Sequence, residues 1–134
     1  MYLEILMKDS GEREFLNFGH TVGHAIERAS GYRIPHGTAV MRGMQIESKV
    51  LSKILGKEDA VSGLVADVSR RFSIPEIQIE EEMHQSLIDA IRFDKKIRSG
   101  KISVQAVDKP GSCRNVSLPL EKYLEVLDTW LKEN

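Results

Sequence analysis

Along most of this chain, apolar residues recur at the three- and four-residue spacing that keeps them on one helix face. Over residues 12–30, Phe15, Val22, Ile26 and Ala29 stay near one side, and Gly31 is a suitable stop. A second helix is predicted over residues 38–55. Val40, Met44, Leu51 and Leu55 share its inner face, the Thr38 hydroxyl can serve as N-cap, and Gly56 closes it. Between the two, "GYRIPHG" reads as a connector, with His36 just ahead of the second helix. Third and fourth helices are predicted over residues 58–72 and 80–93, separated at "SIPEI". The period then drops to two. "KISVQAVD" alternates Ile102, Val104 and Ala106 with polar neighbours, and "RNVSLP" can pair with it as a hairpin. A closing helix over residues 120–131 carries Leu120, Leu124, Leu127 and Leu131 on one side. The pattern predicts a mainly α, multi-helix single domain over residues 1–134, with a small β-hairpin before the last helix.

Composition narrows the class. The 134 residues suffice for one domain with a real core, and 41% hydrophobic and 29% charged residues are ordinary for a soluble globular protein. A net charge of -1 gives no reason to expect a nucleic-acid or membrane-surface partner. The single cysteine, Cys113, permits no internal disulfide, so a reduced cytoplasmic setting is expected. No apolar run approaches the ~20 residues of a membrane span, and "MYLEILMKD" is too short and too acidic for a signal peptide.

The chemistry concentrates in "NFGHTVGHAIE" and the "IPHGTAV" that follows, which together hold three of the four histidines. His20 and His24, four residues apart, project from one helix face, and His36 can reach the same volume from the connector. Three imidazoles suit a catalytic zinc with an open position; a polar pair on a helix surface is the alternative. Gly19 and Gly23 each weaken a helix by roughly 1 kcal/mol relative to alanine, which implies that something approaches the backbone closely there. His84 in "EEEMHQ" reads as a surface residue, and "SRRF" as a basic helix end.

"LNFGHTVGHAIE" followed by "HGTAVMRGM", and then "FDKK", closely resembles the signature segments of the 3-dehydroquinate synthase family. The resemblance covers this whole chain but only the rear part of family members, which begin with an NAD-binding Rossmann-like domain. No glycine-rich strand-to-helix turn for such a domain is found here, so a C-terminal domain of the dehydroquinate synthase-like fold is expected, with the N-terminal NAD-binding domain absent.

Position by position, the resemblance implies that His20 and His36 are zinc ligands, with Co2+ as another suitable ion. It implies that His24 assists proton transfer near the substrate phosphate and does not bind metal, and that Asp9 stands where the family has a catalytic glutamate. Arg13, Asn17 and one of Lys95 and Lys96 match substrate-binding positions, suited to a carboxylate and a phosphate. The family's third zinc ligand is a glutamate upstream of this segment.

The implied reaction converts the sugar phosphate 3-deoxy-D-arabino-heptulosonate 7-phosphate to 3-dehydroquinate and phosphate, with NAD and zinc, in aromatic amino acid biosynthesis. It is a phosphorus–oxygen lyase reaction, and the chain alone is expected to be inactive. Alternatives are a related sugar-phosphate cyclase, a metal-dependent glycerol or alcohol dehydrogenase, or a non-catalytic module. Such a module would dimerise or dock on a separate NAD-binding domain.

Overall fold

The computed structural model of the chain describes residues 17–134; Asp9 and Arg13 lie outside them. Among the described residues five helices and three strands follow in order: α1 His20–Ala29, α2 His36–Leu55, α3 Ser62–Arg71, α4 Glu81–Ile91, β1 Ile97–Arg98, β2 Lys101–Lys109, β3 Ser112–Pro119 and α5 Leu120–Glu133. The predicted mainly α character and the hairpin ahead of the last helix are both present. The strand pattern extends further than predicted, because Ile97 and Arg98 pair with Ile102 and Lys101 to make a three-stranded antiparallel sheet in the order β1-β2-β3. Ser99 and Gly100, both at positive φ, form the tight two-residue turn that this pairing requires.

Several boundaries differ from the sequence reading, each for a local reason. Helix α1 begins at His20, because Gly19 takes a left-handed conformation at φ 85° and breaks the helix there; Asn17 therefore lies in the preceding turn and not in mid-helix. Helix α2 begins at His36, inside the expected connector. Pro35 is its N-cap, in an extended conformation that proline's ring favours, and Thr38 is within the helix and does not cap it. Helix α3 starts four residues later than predicted. Asp59 Oδ1 instead accepts the N–H groups of Val61 and Ser62 at 3.3 and 3.0 Å, satisfying the first donors of the helix from outside it. Gly56 closes α2 in the left-handed region, as its position in the pattern implied.

The main core joins Val22, Ala25 and Ile26 of α1, Ile46 and Val50 of α2, Leu87 and Ile91 of α4, Ile102 and Val104 of β2, and Tyr123, Leu127 and Leu131 of α5. The alternation read in "KISVQAVD" is the cause of the sheet's inner face: Ile102 lies opposite Leu118, and both are buried. Phe18, Val40, Met44, Val61, Val65 and Cys113 make a smaller core on the other side of α2. His84, expected at the surface, is half-buried, with Nε2 3.2 Å from the Ile79 carbonyl oxygen.

At Gly23 and Gly43, helices α1 and α2 meet backbone against backbone. A methyl on Gly43 would stand 2.7 Å from Gly23 N and 3.0 Å from Gly23 Cα, and one on Gly23 would meet Val40 Cα at 3.1 Å. The close approach that the glycines foretold is therefore made by a neighbouring helix. Gly43→Ala is expected to lower stability by about 3 kcal/mol in urea denaturation, because backbone must move to admit the methyl. Gly63→Ala, which meets nothing within 4 Å, should be neutral or stabilising by up to about 1 kcal/mol.

Tyr123 is fully buried, and its hydroxyl has no hydrogen-bond partner among the described residues. Tyr123→Phe should accordingly raise stability, by about 1 kcal/mol in the same assay, because it removes a polar atom that the described residues leave unsatisfied.

Candidate metal and substrate site

The start of α1 is fixed by a carboxylate from α2. Glu47 Oε1 accepts the Gly19 N–H at 3.0 Å, and Oε2 accepts the Val22 N–H at 2.8 Å. These are among the donors a helix N-terminus leaves without an internal partner, and a negative group there is favoured by the aligned peptide dipoles. Glu47 is 2% exposed. Burial raises its carboxyl to about 7, with the two backbone bonds and Lys96 opposing the rise and Asp94 adding to it.

From that fixed start, His20, His24 and Glu27 fall at i, i+4 and i+7 on one face of α1. His36, the first residue of α2, faces them. The ring centroids of His20 and His24 are 5.1 Å apart, those of His20 and His36 5.5 Å, and those of His24 and His36 5.9 Å. The sequence spacing thus brings all three imidazoles together, as expected.

Two of the rings are held through Nδ1. His20 Nδ1 is 3.3 Å from the Phe18 carbonyl oxygen, and His36 Nδ1 is 3.0 Å from Glu27 Oε1. Burial lowers the pKa of His20. The Phe18 bond opposes that shift, while His24, His36 and Lys96 nearby add to it. A ring so disposed offers the lone pair that a metal ion takes.

Beside the rings lies a cavity of about 460 Å³. Its lining includes Asn17 from the turn before α1, His24, Glu27 and Arg28 from α1, His36 from α2, and Phe93, Lys95 and Lys96 from the end of α4 and the loop that follows. Five of the positions singled out in the sequence, Asn17, His24, His36, Lys95 and Lys96, therefore meet at one cavity; His20 lies against the same rings and is not among the lining residues. Lys96 is half-buried and held by Asp94, with Nζ 3.0 Å from Oδ2; Lys95 is exposed. The aromatic ring of Phe93 lies 5.8 Å from the Arg28 guanidinium, a distance at which cation and ring attract.

Sequence reasoning missed Glu27, Glu47 and Asp94. Among the described residues, Glu27 joins His24 and His36 in a group whose donor atoms all lie within 4.8 Å of one another. Glu27 could have been found from its place seven residues after His20. The signal for Glu47 is a charged residue on the apolar side of α2, three after Met44 and four before Leu51.

Residues 5–97 match the family described as 3-dehydroquinate synthase C-terminal. The 3-dehydroquinate synthase of Pyrococcus abyssi is 38% identical over 121 residues, covering 90% of this chain and 35% of that protein. That of Sulfolobus acidocaldarius is 35% identical over 126 residues, covering 91% of this chain and 35% of its own. The chain thus spans about a third of the length of these relatives. A solved structure of 2-deoxy-scyllo-inosose synthase, complexed with carbaglucose-6-phosphate, NAD+ and Co2+, superposes with a TM-score of 0.63. It is 18% identical, with 86% of this chain and 33% of that one covered, a likeness of fold. No helix among the described residues is long and apolar enough to cross a membrane.

The raised carboxyl of Glu47 has a pH signature. Its ordinary value is 4.5 and its folded value about 7, so between these the folded state holds more protons than the unfolded one, and stability falls as pH rises. Its contribution is fully present below 4.5 and lost as pH climbs through about 7. Glu47→Gln cannot titrate. Relative to wild type, its unfolding free energy should therefore move in the variant's favour by about 3 kcal/mol from acid to mildly alkaline pH. A difference that stays constant across that range would count against a titrating Glu47.

Proposed function

Since the chain belongs to the 3-dehydroquinate synthase C-terminal family, we propose that it forms the metal- and substrate-binding part of a 3-dehydroquinate synthase. The observation that carries this reading is the meeting of His20, His24 and His36 beside a cavity that also receives Asn17, Lys95 and Lys96 from separate segments. The donor set fits a divalent ion. His20 and His36 are each held through Nδ1, which leaves Nε2 of either ring for coordination, the usual arrangement of a metal-bound histidine. Zinc or Co2+ there would act as a Lewis acid on substrate hydroxyls and lower the pKa of the one to be oxidised. NAD, when bound, would supply the hydride acceptor and donor.

The chain's own residues do the rest. Lys95 and Lys96 at the cavity supply positive charge for the phosphate and carboxylate of a sugar-phosphate acid, and Asn17 donates or accepts at its hydroxyls. Asp94 pairs with the Lys96 ammonium, so that its charge is held in a fixed place. His24 lines the cavity with an exposed ring, suited to moving a proton at the leaving phosphate. Arg13 and Asp9 are assigned to substrate contact and catalysis by the family pattern alone.

A second reading adds a partner. Phe93 is 77% exposed and Tyr32 68%, and both border the cavity. Exposed aromatic residues beside a site favour docking of another domain, here an NAD-binding one supplied separately.

With NAD and zinc present, the purified 134-residue chain is expected to release no phosphate from 3-deoxy-D-arabino-heptulosonate 7-phosphate. Turnover by the chain alone would overturn its assignment as one part of the enzyme. In an active assembly containing it, His24→Ala should lower kcat by about 10²-fold or more, the usual contribution of a general acid or base, with a smaller effect on KM. An unchanged kcat would remove His24 from the proton path.

A further inference from the structure

The metal reading leaves one buried-edge carboxylate unused. Glu27 lies on the histidine face of α1, its side chain only 14% exposed, and its Oε1 is 3.0 Å from His36 Nδ1. His36 has a side chain 58% exposed and, among the described residues, no second hydrogen bond to hold its ring. It also sits at the first position of α2, directly after Pro35, so its backbone is set while its ring could turn freely about the side-chain torsions.

We propose that Glu27 is a positioning residue for His36: it accepts the Nδ1–H, fixes the ring in that tautomer, and turns Nε2 toward the space shared with His20 and His24. The proposal rests on the metal reading for its purpose, but not for its geometry. A carboxylate only accepts, so the proton of this bond belongs to the imidazole, and in the neutral ring the other nitrogen is left with its lone pair. His20 is arranged in the same sense by a different acceptor, the Phe18 carbonyl oxygen. Two rings from two helices, their centroids 5.5 Å apart, are thus each braced at Nδ1, one by backbone and the other by a side chain. Glu27 is close enough to His24 and His36 to be a direct ligand as well, and the experiment separates the two roles.

Two measurements on the 134-residue chain decide it. The first needs no metal. Nitrogen-15 NMR of the histidine rings at mildly alkaline pH should find His36 protonated on Nδ1 in wild type and in Glu27→Gln, whose amide oxygen still accepts, and on Nε2 predominantly in Glu27→Ala. The second is titration with Co2+, followed by its visible absorption. Glu27→Ala should bind about 10- to 100-fold more weakly than wild type, the range for loss of an outer hydrogen-bond partner. Glu27→Gln should recover most of that affinity with an unchanged spectrum.

A His36 tautomer that is the same in Glu27→Ala and wild type would overturn the proposal. So would a Glu27→Gln spectrum altered as by loss of a ligand, which would make Glu27 part of the coordination itself. A wild-type chain that takes up no Co2+ would instead overturn the metal reading, and the tautomer measurement would still decide the role of Glu27.

Discussion

The geometry of the histidine cluster depends on how the first turn of α1 is held against α2. Two things hold it: the Glu47 carboxylate across the N–H groups of Gly19 and Val22, and the absence of side chains where Gly19, Gly23 and Gly43 meet. The hydrogen bonds give direction and the glycines give distance. Removing the carboxylate would strand two buried donors, and adding one methyl at Gly43 would force two backbones apart. Because His20 directly follows Gly19 and His24 directly follows Gly23, any such change is transmitted to the rings within one residue.

This arrangement carries opposing demands. A fully buried carboxylate is costly, and burial here outweighs the two backbone bonds and Lys96 in setting its pKa. Yet the same carboxylate complements the positive end of the helix dipole, and its two oxygens each accept one backbone N–H, where an amide of the same size has a single oxygen. Tyr123 lies in the same buried region. Burial holds its phenol well above the ordinary pKa, and the negative charges of Glu47 and Asp94 push it further.

Much of this was legible in the sequence, and the limits have physical reasons. Hydrophobic spacing found the helices because each buries one face; the hairpin followed from alternation over "KISVQAVD". The convergence of His20, His24 and His36 followed from helical geometry and a short connector. Helix starts were less legible. The start of α1 is decided by a left-handed glycine, that of α2 by a proline one residue before His36, and that of α3 by an aspartate reaching forward from the loop. Strand β1 was missed because two residues carry no period. Glu27 and Glu47 were missed because glutamate is common on helices, and only position relative to the histidines and to the apolar face separates these two from the rest. Asp9 and Arg13 remain readings of the family pattern, outside the described residues.

The bare crossing of α1 and α2 has a consequence for how the protein can vary. Where two helices are spaced by interdigitating side chains, each core substitution alters their separation slightly. Here backbone rests on backbone, so the gap has a floor that no repacking of the neighbouring core can lower. Drift at Ile46, Val50 or Leu127 should therefore be felt as a change in how long the fold survives, while the distance from one imidazole to the next stays nearly the same.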